Sequence, residues 1–168
     1  MMRGEPSNTF LLAAAFGMAF SVLLVVPLWA LFGRLLPEEE HGGEPVSPSA
    51  FREAVQAQQA RYGLPDGSVR PPPGDVYLMA SQFAWTPRVL RLQAGREYRL
   101  HLLSTDVVHG FSLVLGGSSY NLVLMPGMVA TVEVRPERPG TYLLVCNEYC
   151  GIGHQWMWGQ IVVEEGER

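Results

Sequence analysis

Two rhythms of hydrophobic and polar positions divide this chain. From Phe10 to Gly33 the residues are mostly apolar and none is charged, 24 residues that would reach about 36 Å as a helix, enough to cross a bilayer. A removable export signal has a shorter apolar region, about 7–15 residues, and small residues at its cut site. Here the run ends in Phe32-Gly33-Arg34-Leu35-Leu36-Pro37, so residues 1–36 are read as an uncleaved membrane anchor. Pro27 lies inside the span, where it deletes one backbone donor; membrane helices tolerate this better than soluble ones. Arg3 precedes the span and Arg34, Arg52 and Arg61 follow it, so the charge rule leaves the orientation open.

Residues 37–74 read as a linker interrupted by one short helix. Glu38-Glu39-Glu40, Gly42-Gly43 and Arg70-Pro71-Pro72-Pro73-Gly74 are linker-like. Between them, Ser47-Pro48 offers a helix start, Phe51, Val55 and Tyr62 fall near one face, and Gly63 then Pro65 supply a stop. A surface helix is the expectation.

From Asp75 the rhythm changes to period two. In Glu97-Tyr98-Arg99-Leu100-His101-Leu102 the residues Tyr98, Leu100 and Leu102 share a face. Similar runs cover 76–83, 89–92, 109–115, 128–134, 141–146 and 159–163, with Gly116-Gly117, Pro126-Gly127 and Pro139-Gly140 as turns. About seven short strands of this kind predict a mainly β domain over 75–168, a Greek-key sandwich or barrel. His101 falls on the polar face of its strand and His41 in the linker, so both are expected at the surface.

Composition narrows the function classes. Hydrophobic residues make up 48% and charged residues 17%, less charge than the roughly 25% of ordinary soluble domains, in keeping with a membrane segment. The formal net charge of −4 lacks the basic footprint of a protein that binds nucleic acid. All 12 basic residues are arginine, which excludes lysine chemistry.

The chemistry concentrates in Cys146-Asn147-Glu148-Tyr149-Cys150-Gly151-Ile152-Gly153-His154-Gln155-Trp156-Met157. Two thiols, an imidazole and a thioether form a soft and borderline donor set that suits copper rather than magnesium or calcium. Gly151 and Gly153 let the backbone turn tightly, so donors three or four residues apart can converge from a loop. A disulfide between the cysteines is the plain alternative in an exported domain. His109, at the head of another predicted strand, supplies a second imidazole. Two thiolates in one loop can bridge two coppers, each also bound by a histidine, with Met157 and a backbone carbonyl at the ends.

Asp106-Val107-Val108-His109-Gly110-Phe111 together with the Cys146–Met157 segment resembles the paired copper-A motif of cytochrome c oxidase subunit II. The single span and the chain length are similar to the ba3-type (B-family) oxidases. The resemblance implies a cupredoxin-like domain and a binuclear copper centre. It assigns Cys146 and Cys150 as bridging thiolates, His109 and His154 as terminal imidazoles, Met157 as the weak axial sulfur and Glu148 as a carbonyl ligand. The ba3-type proteins carry Gln at the position of Glu148; A-type proteins carry Glu, whose carboxylate also helps hold magnesium against subunit I. Ligation needs ionised thiols and neutral histidines, so copper loading is expected to release protons and weaken at low pH.

The same resemblance implies an electron-entry subunit: cytochrome c docks outside the membrane, and electrons pass through copper to haem in subunit I, where oxygen reduction and proton pumping occur. It places the copper domain on the periplasmic side. Phe83-Ala84-Trp85-Thr86-Pro87 resembles the segment that carries an exposed aromatic between donor haem and copper, making Phe83 and Trp85 candidates for electron entry, with Trp156 and Trp158 behind them. From Asp75 onward nine acids face seven arginines, a net of −2, so docking is expected to be largely apolar. The alternatives are a membrane-anchored copper carrier, whose usual helix-alternating pattern is missing, and a copper-free quinol-oxidase subunit II, which the intact ligand set opposes.

Overall fold

The computed structural model describes residues 8–33 and 44–166. Arg3, Arg34, the Glu38-Glu39-Glu40 run, His41 and Gly42-Gly43 lie outside the described residues. The chain divides into two compact units, Met1–His41 and Gly42–Arg168.

In the first unit, α1 (Asn8–Gly33) runs unbroken through Pro27. Its window of mean hydropathy 2.4 carries none of its residues buried, so apolar side chains face outward all round. Such a helix suits lipid rather than one packed face. The Ser21 hydroxyl donates to the Gly17 carbonyl at 2.9 Å, which satisfies it within the helix.

The second unit runs β1 (Glu44–Pro45), α2 (Pro48–Tyr62), β2 (Gly74–Ser81), β3 (Ala84–Thr86), β4 (Val89–Gln93), β5 (Tyr98–Ser104), β6 (His109–Leu115), β7 (Ser118–Leu124), β8 (Met128–Val134), β9 (Gly140–Val145) and β10 (Trp158–Glu164). One sheet has the order β1-β8-β5-β2-β3 and the other β4-β10-β9-β6-β7. The pairs β2/β5 and β4/β10 are parallel and the rest antiparallel. Alternate residues of both sheets, among them Val76, Leu78, Leu100, Phe111, Leu144 and Ile161, meet in one buried cluster. This burial is the main stabilising term, about 1.5–3 kcal/mol for each large apolar side chain fully removed from water.

Three strands were not expected from the sequence. β7 alternates, but among its residues only Leu124 is buried; on the edge of its sheet it adds little to the core. β3 is three residues long and β1 two, too short to show a period.

The stretch read as a linker contributes to the β unit. Phe51 and Val55 of α2 are buried against Leu103 in a second cluster. Gln58 donates Nε2 to Tyr77 O and accepts from Tyr77 N, both at 2.9 Å, so its amide pairs with the peptide of β2. This cover explains why β5 departs from strict alternation, with Leu102, Leu103 and Ser104 all buried. His101, expected as a plain surface residue, is instead stacked on Tyr77, with ring centroids 5.2 Å apart. Its nitrogens meet Asp75 Oδ1 at 2.9 Å and Thr131 Oγ1 at 3.0 Å.

Candidate metal centre

The donor-rich segment is a loop between β9 and β10, pinched at its base by a hydrogen bond from Cys146 N to Met157 O at 3.1 Å. That bond brings the first and last donors of the segment to one stem. Within the loop, His154 N donates to Gly151 O at 3.0 Å and Met157 N to His154 O at 3.1 Å, so a one-turn 3-10 helix, His154–Trp156, turns the imidazole back toward the thiols. Gly151 has φ +131°, a backbone conformation that favours glycine. Gly153 serves by absence, because a Cβ there would run into the Phe83 ring.

Cys146 and Cys150 are free, buried thiols with their sulfurs 3.9 Å apart, far longer than the roughly 2.05 Å of a disulfide. Each faces an imidazole: Cys146 Sγ lies 3.8 Å from His109 Nδ1 and Cys150 Sγ lies 3.6 Å from His154 Nδ1. Met157 Sδ is 3.7 Å from Cys150 Sγ, and Glu148 O is 3.2 Å from Cys146 Sγ. The carboxylate side of Glu148 is exposed. All six residues named from the sequence therefore meet at one place, and the ligand atoms of His109, Cys146 and Cys150 lie within 4.8 Å of one another. Thiol, thioether, imidazole and carbonyl donors in mutual reach fit copper.

His109 arrives from the neighbouring strand of the same sheet, as the first residue of β6, which pairs with β9, and is fully buried. Its Nε2 is 2.8 Å from Asp106 Oδ1; a carboxylate only accepts, so the ring proton sits on Nε2 and the Nδ1 lone pair is left facing Cys146. Asp106 also accepts from Val107 N at 2.7 Å and from Gln82 N at 2.6 Å. Burial alone would raise the Asp106 carboxyl, but hydrogen bonds from Gln82, His109 and Val107 outweigh it and hold it below the usual range. Burial, followed by the neighbouring Cys146, pushes the Cys150 thiol up to about 11. Gly110 N points at Cys146 Sγ from 3.4 Å, and a Cβ on Gly110 would strike the Asn147 side chain. β6 and the ligand loop thus approach too closely for any side chain at position 110.

The two electron-entry candidates separate. Trp85 is 2% exposed, packed edge-on against Phe111 with centroids 6.0 Å apart, which corrects the expectation of an exposed residue: in β3 its side chain points into the core. Phe83 is 36% exposed, and its ring lies over Gly151 and Gly153 of the loop. Trp156 and Trp158 are exposed, and so are Tyr149 and Ile152, which the sequence reading did not single out. Tyr149 packs near His154, centroids 6.0 Å apart. Asp106 and Gln82 were also missed as supports of the site; the position of Asp106 three residues before His109 is the signal that could have found it.

The family model described as "Cytochrome C oxidase subunit II, periplasmic domain" matches residues 79–165. A "Cytochrome c oxidase subunit 2" of Thermus thermophilus is 35% identical over 155 residues, covering 88% of this chain and 89% of the relative. The chain belongs to the cytochrome c oxidase subunit II family. As a subunit II it is part of a haem-copper oxidoreductase, and α1 fits a single membrane anchor. A chain from a structure described as a heme-copper terminal oxidase dimer aligns with a TM-score of 0.50 and 25% identity over 90% of this chain and 99% of that one. Rusticyanin, in its His143Met form, aligns with a TM-score of 0.51 over 71% of this chain and 95% of its own, at 16% identity. That likeness shows the fold alone: the β unit of this subunit II is a cupredoxin-like sandwich.

Proposed function

We propose that this subunit II is the electron-entry subunit of a respiratory cytochrome c oxidase, built around a two-copper centre held by His109, Cys146, the carbonyl of Glu148, Cys150, His154 and Met157. The observation that carries the reading is the pair of free thiols 3.9 Å apart, each facing its own imidazole nitrogen. When bound, the copper pair supplies one-electron transfer with the charge shared between two ions.

The chain's own residues do the rest. Cys146 and Cys150 would hold the copper pair as thiolates, their protons released to water on loading, and Asp106 keeps the His109 proton on Nε2. The sandwich holds His109 and Cys146 on adjoining strands, so the donors need little rearrangement. Exposed Phe83, Tyr149, Ile152 and Trp156 on and against the ligand loop offer a cytochrome c an apolar surface close to the donors, consistent with the weak net charge of the domain. Trp85 has no part in this surface. Electrons then pass to haem in subunit I, where oxygen is reduced and protons are pumped. The match to a model of a periplasmic domain supports a periplasmic position for residues 79–165, with α1 as the single anchor.

The test is copper reconstitution of the full chain in detergent, read by metal analysis and electron paramagnetic resonance. Two coppers per chain and a multi-line hyperfine pattern are expected. One exchangeable cuprous ion would instead make the protein a copper carrier, and a colourless product with its sulfurs joined would end the oxidase reading.

A further inference from the structure

One residue outside the ligand set touches both halves of the centre. Gln82 lies in the turn between β2 and β3. Its side-chain Nε2 donates to Cys150 O at 2.6 Å, and its backbone N donates to Asp106 Oδ2 at 2.6 Å, while the other Asp106 oxygen accepts from His109 Nε2 at 2.8 Å. The turn is seated on the loop as well: a Cβ on Gly151 would lie 3.0 Å from Gln82 Nε2 and from the Phe83 ring.

We propose that Gln82 is a positioning residue for the copper centre, locking the Cys150 arm of the ligand loop to the Asp106–His109 arm. The inference rests on the two-copper reading above. Holding the Cys150 carbonyl restrains the peptide that follows that residue, and with it the direction in which Sγ points. Gln82 is exposed, so water can replace the amide as a partner of the carbonyl, but water does not tie that carbonyl to Asp106. A glutamine suits the place because a carbonyl needs a donor. A carboxylate of the same length would set oxygen against oxygen, and an apolar side chain would offer nothing. Loss of groups that orient metal ligands typically costs about 10–100-fold in metal affinity.

The experiment uses the full chain in detergent, loaded with copper, as parent, Gln82→Met and Gln82→Ala. The methionine variant keeps the length of the side chain and removes its donor. Copper loss to EDTA, the hyperfine pattern and the melting of the metal-free chain are measured on each. The expected result is about tenfold faster copper loss with an altered hyperfine pattern, while the metal-free chains melt with the parent. Parent-like loss rates and spectra in the variants would overturn the role. So would a fall in metal-free stability that parallels the faster loss in both variants, since Gln82 would then be a general support of its turn. If one variant fails to fold, the other decides on the same readouts. A parent chain that takes up no copper pair rejects the functional reading and this role with it, whereas parent-like variants of a properly loaded chain reject only the role of Gln82.

Discussion

The ligand loop and the head of β6 deliver donors to one site by different physical routes. From Cys146 to Met157, five of the six proposed donors fall within twelve residues, and the loop is shaped by its own turns: the Cys146–Met157 pinch, the 3-10 turn and the backbone of Gly151. His109 lies 37 positions before Cys146 and reaches it only because β6 pairs with β9, Leu113 opposite Leu144. The local half of the site depends on short-range geometry, and the distant half depends on the register of a sheet. A defect in the ligand chemistry should therefore damage the site alone, while a defect in the register of β6 against β9 should damage site and fold together.

The sharpest way to break the local half is Cys150→Ser. The multi-line spectrum of the copper-loaded full chain is expected to vanish while the β unit stays folded by circular dichroism; a variant that kept the full spectrum would reject the bridging role of Cys150. Next is Gly153→Val, which forces a branched side chain into the Phe83 ring. A loss of about 1–3 kcal/mol, the usual range for overpacking, should appear as a lower melting temperature of the metal-free chain, together with weaker copper uptake. Met157→Leu should do less. A thioether is a weak ligand, so copper is expected to be largely retained with an altered reduction potential, and complete metal loss would show that Met157 carries more of the site than its chemistry suggests.

The smallest effect is expected from acid on the metal-free chain, chiefly through exposed ion pairs. Hydrogen bonds from Arg70 to Glu164 and from His101 and Arg99 to Asp75 hold these carboxyls below their usual values, and Asp66 is lowered chiefly by Ser68 and then by Arg91. A lowered folded-state pKa means that the stabilisation is fully present above the unfolded value, about 4, and is lost as pH falls through the folded value. The melting temperature of the metal-free chain should be level from about pH 7 to 5 and decline below about 4. The decline should shrink in high salt, because these pairs are largely exposed.

Legibility in the sequence followed the same division. In β5 the alternation is visible in the residues as far as Leu102, with Tyr98, Leu100 and Leu102 set against Arg99 and His101, since a half-buried strand must alternate to keep polar groups in water. β7 exposes most of its residues and is an edge, so its pattern carries little signal. Residues 48–62 read as a helix but not as part of the core: Phe51 and Val55 look like a minor apolar stripe until Leu103, on the outer side of β5, is seen beneath them. Phe83 and Trp85 are indistinguishable in sequence, two aromatics two positions apart. Only the burial of β3 against Phe111 sends one inward, while the turn before it leaves the other partly exposed on the ligand loop.

The amino-acid sequence alone determined the apolar span of α1, the β character of the second unit and the donor set between Cys146 and Met157, because each is written in neighbouring residues through hydropathy, periodicity or spacing. The tertiary structure decided which side chain opposes which sulfur, that Asp106 fixes the tautomer of His109, that Gln82 joins the two arms, and that Trp85 belongs to the core. These depend on contacts between strands far apart in the chain, and such contacts are set by sheet register and packing, which no local stretch of residues encodes.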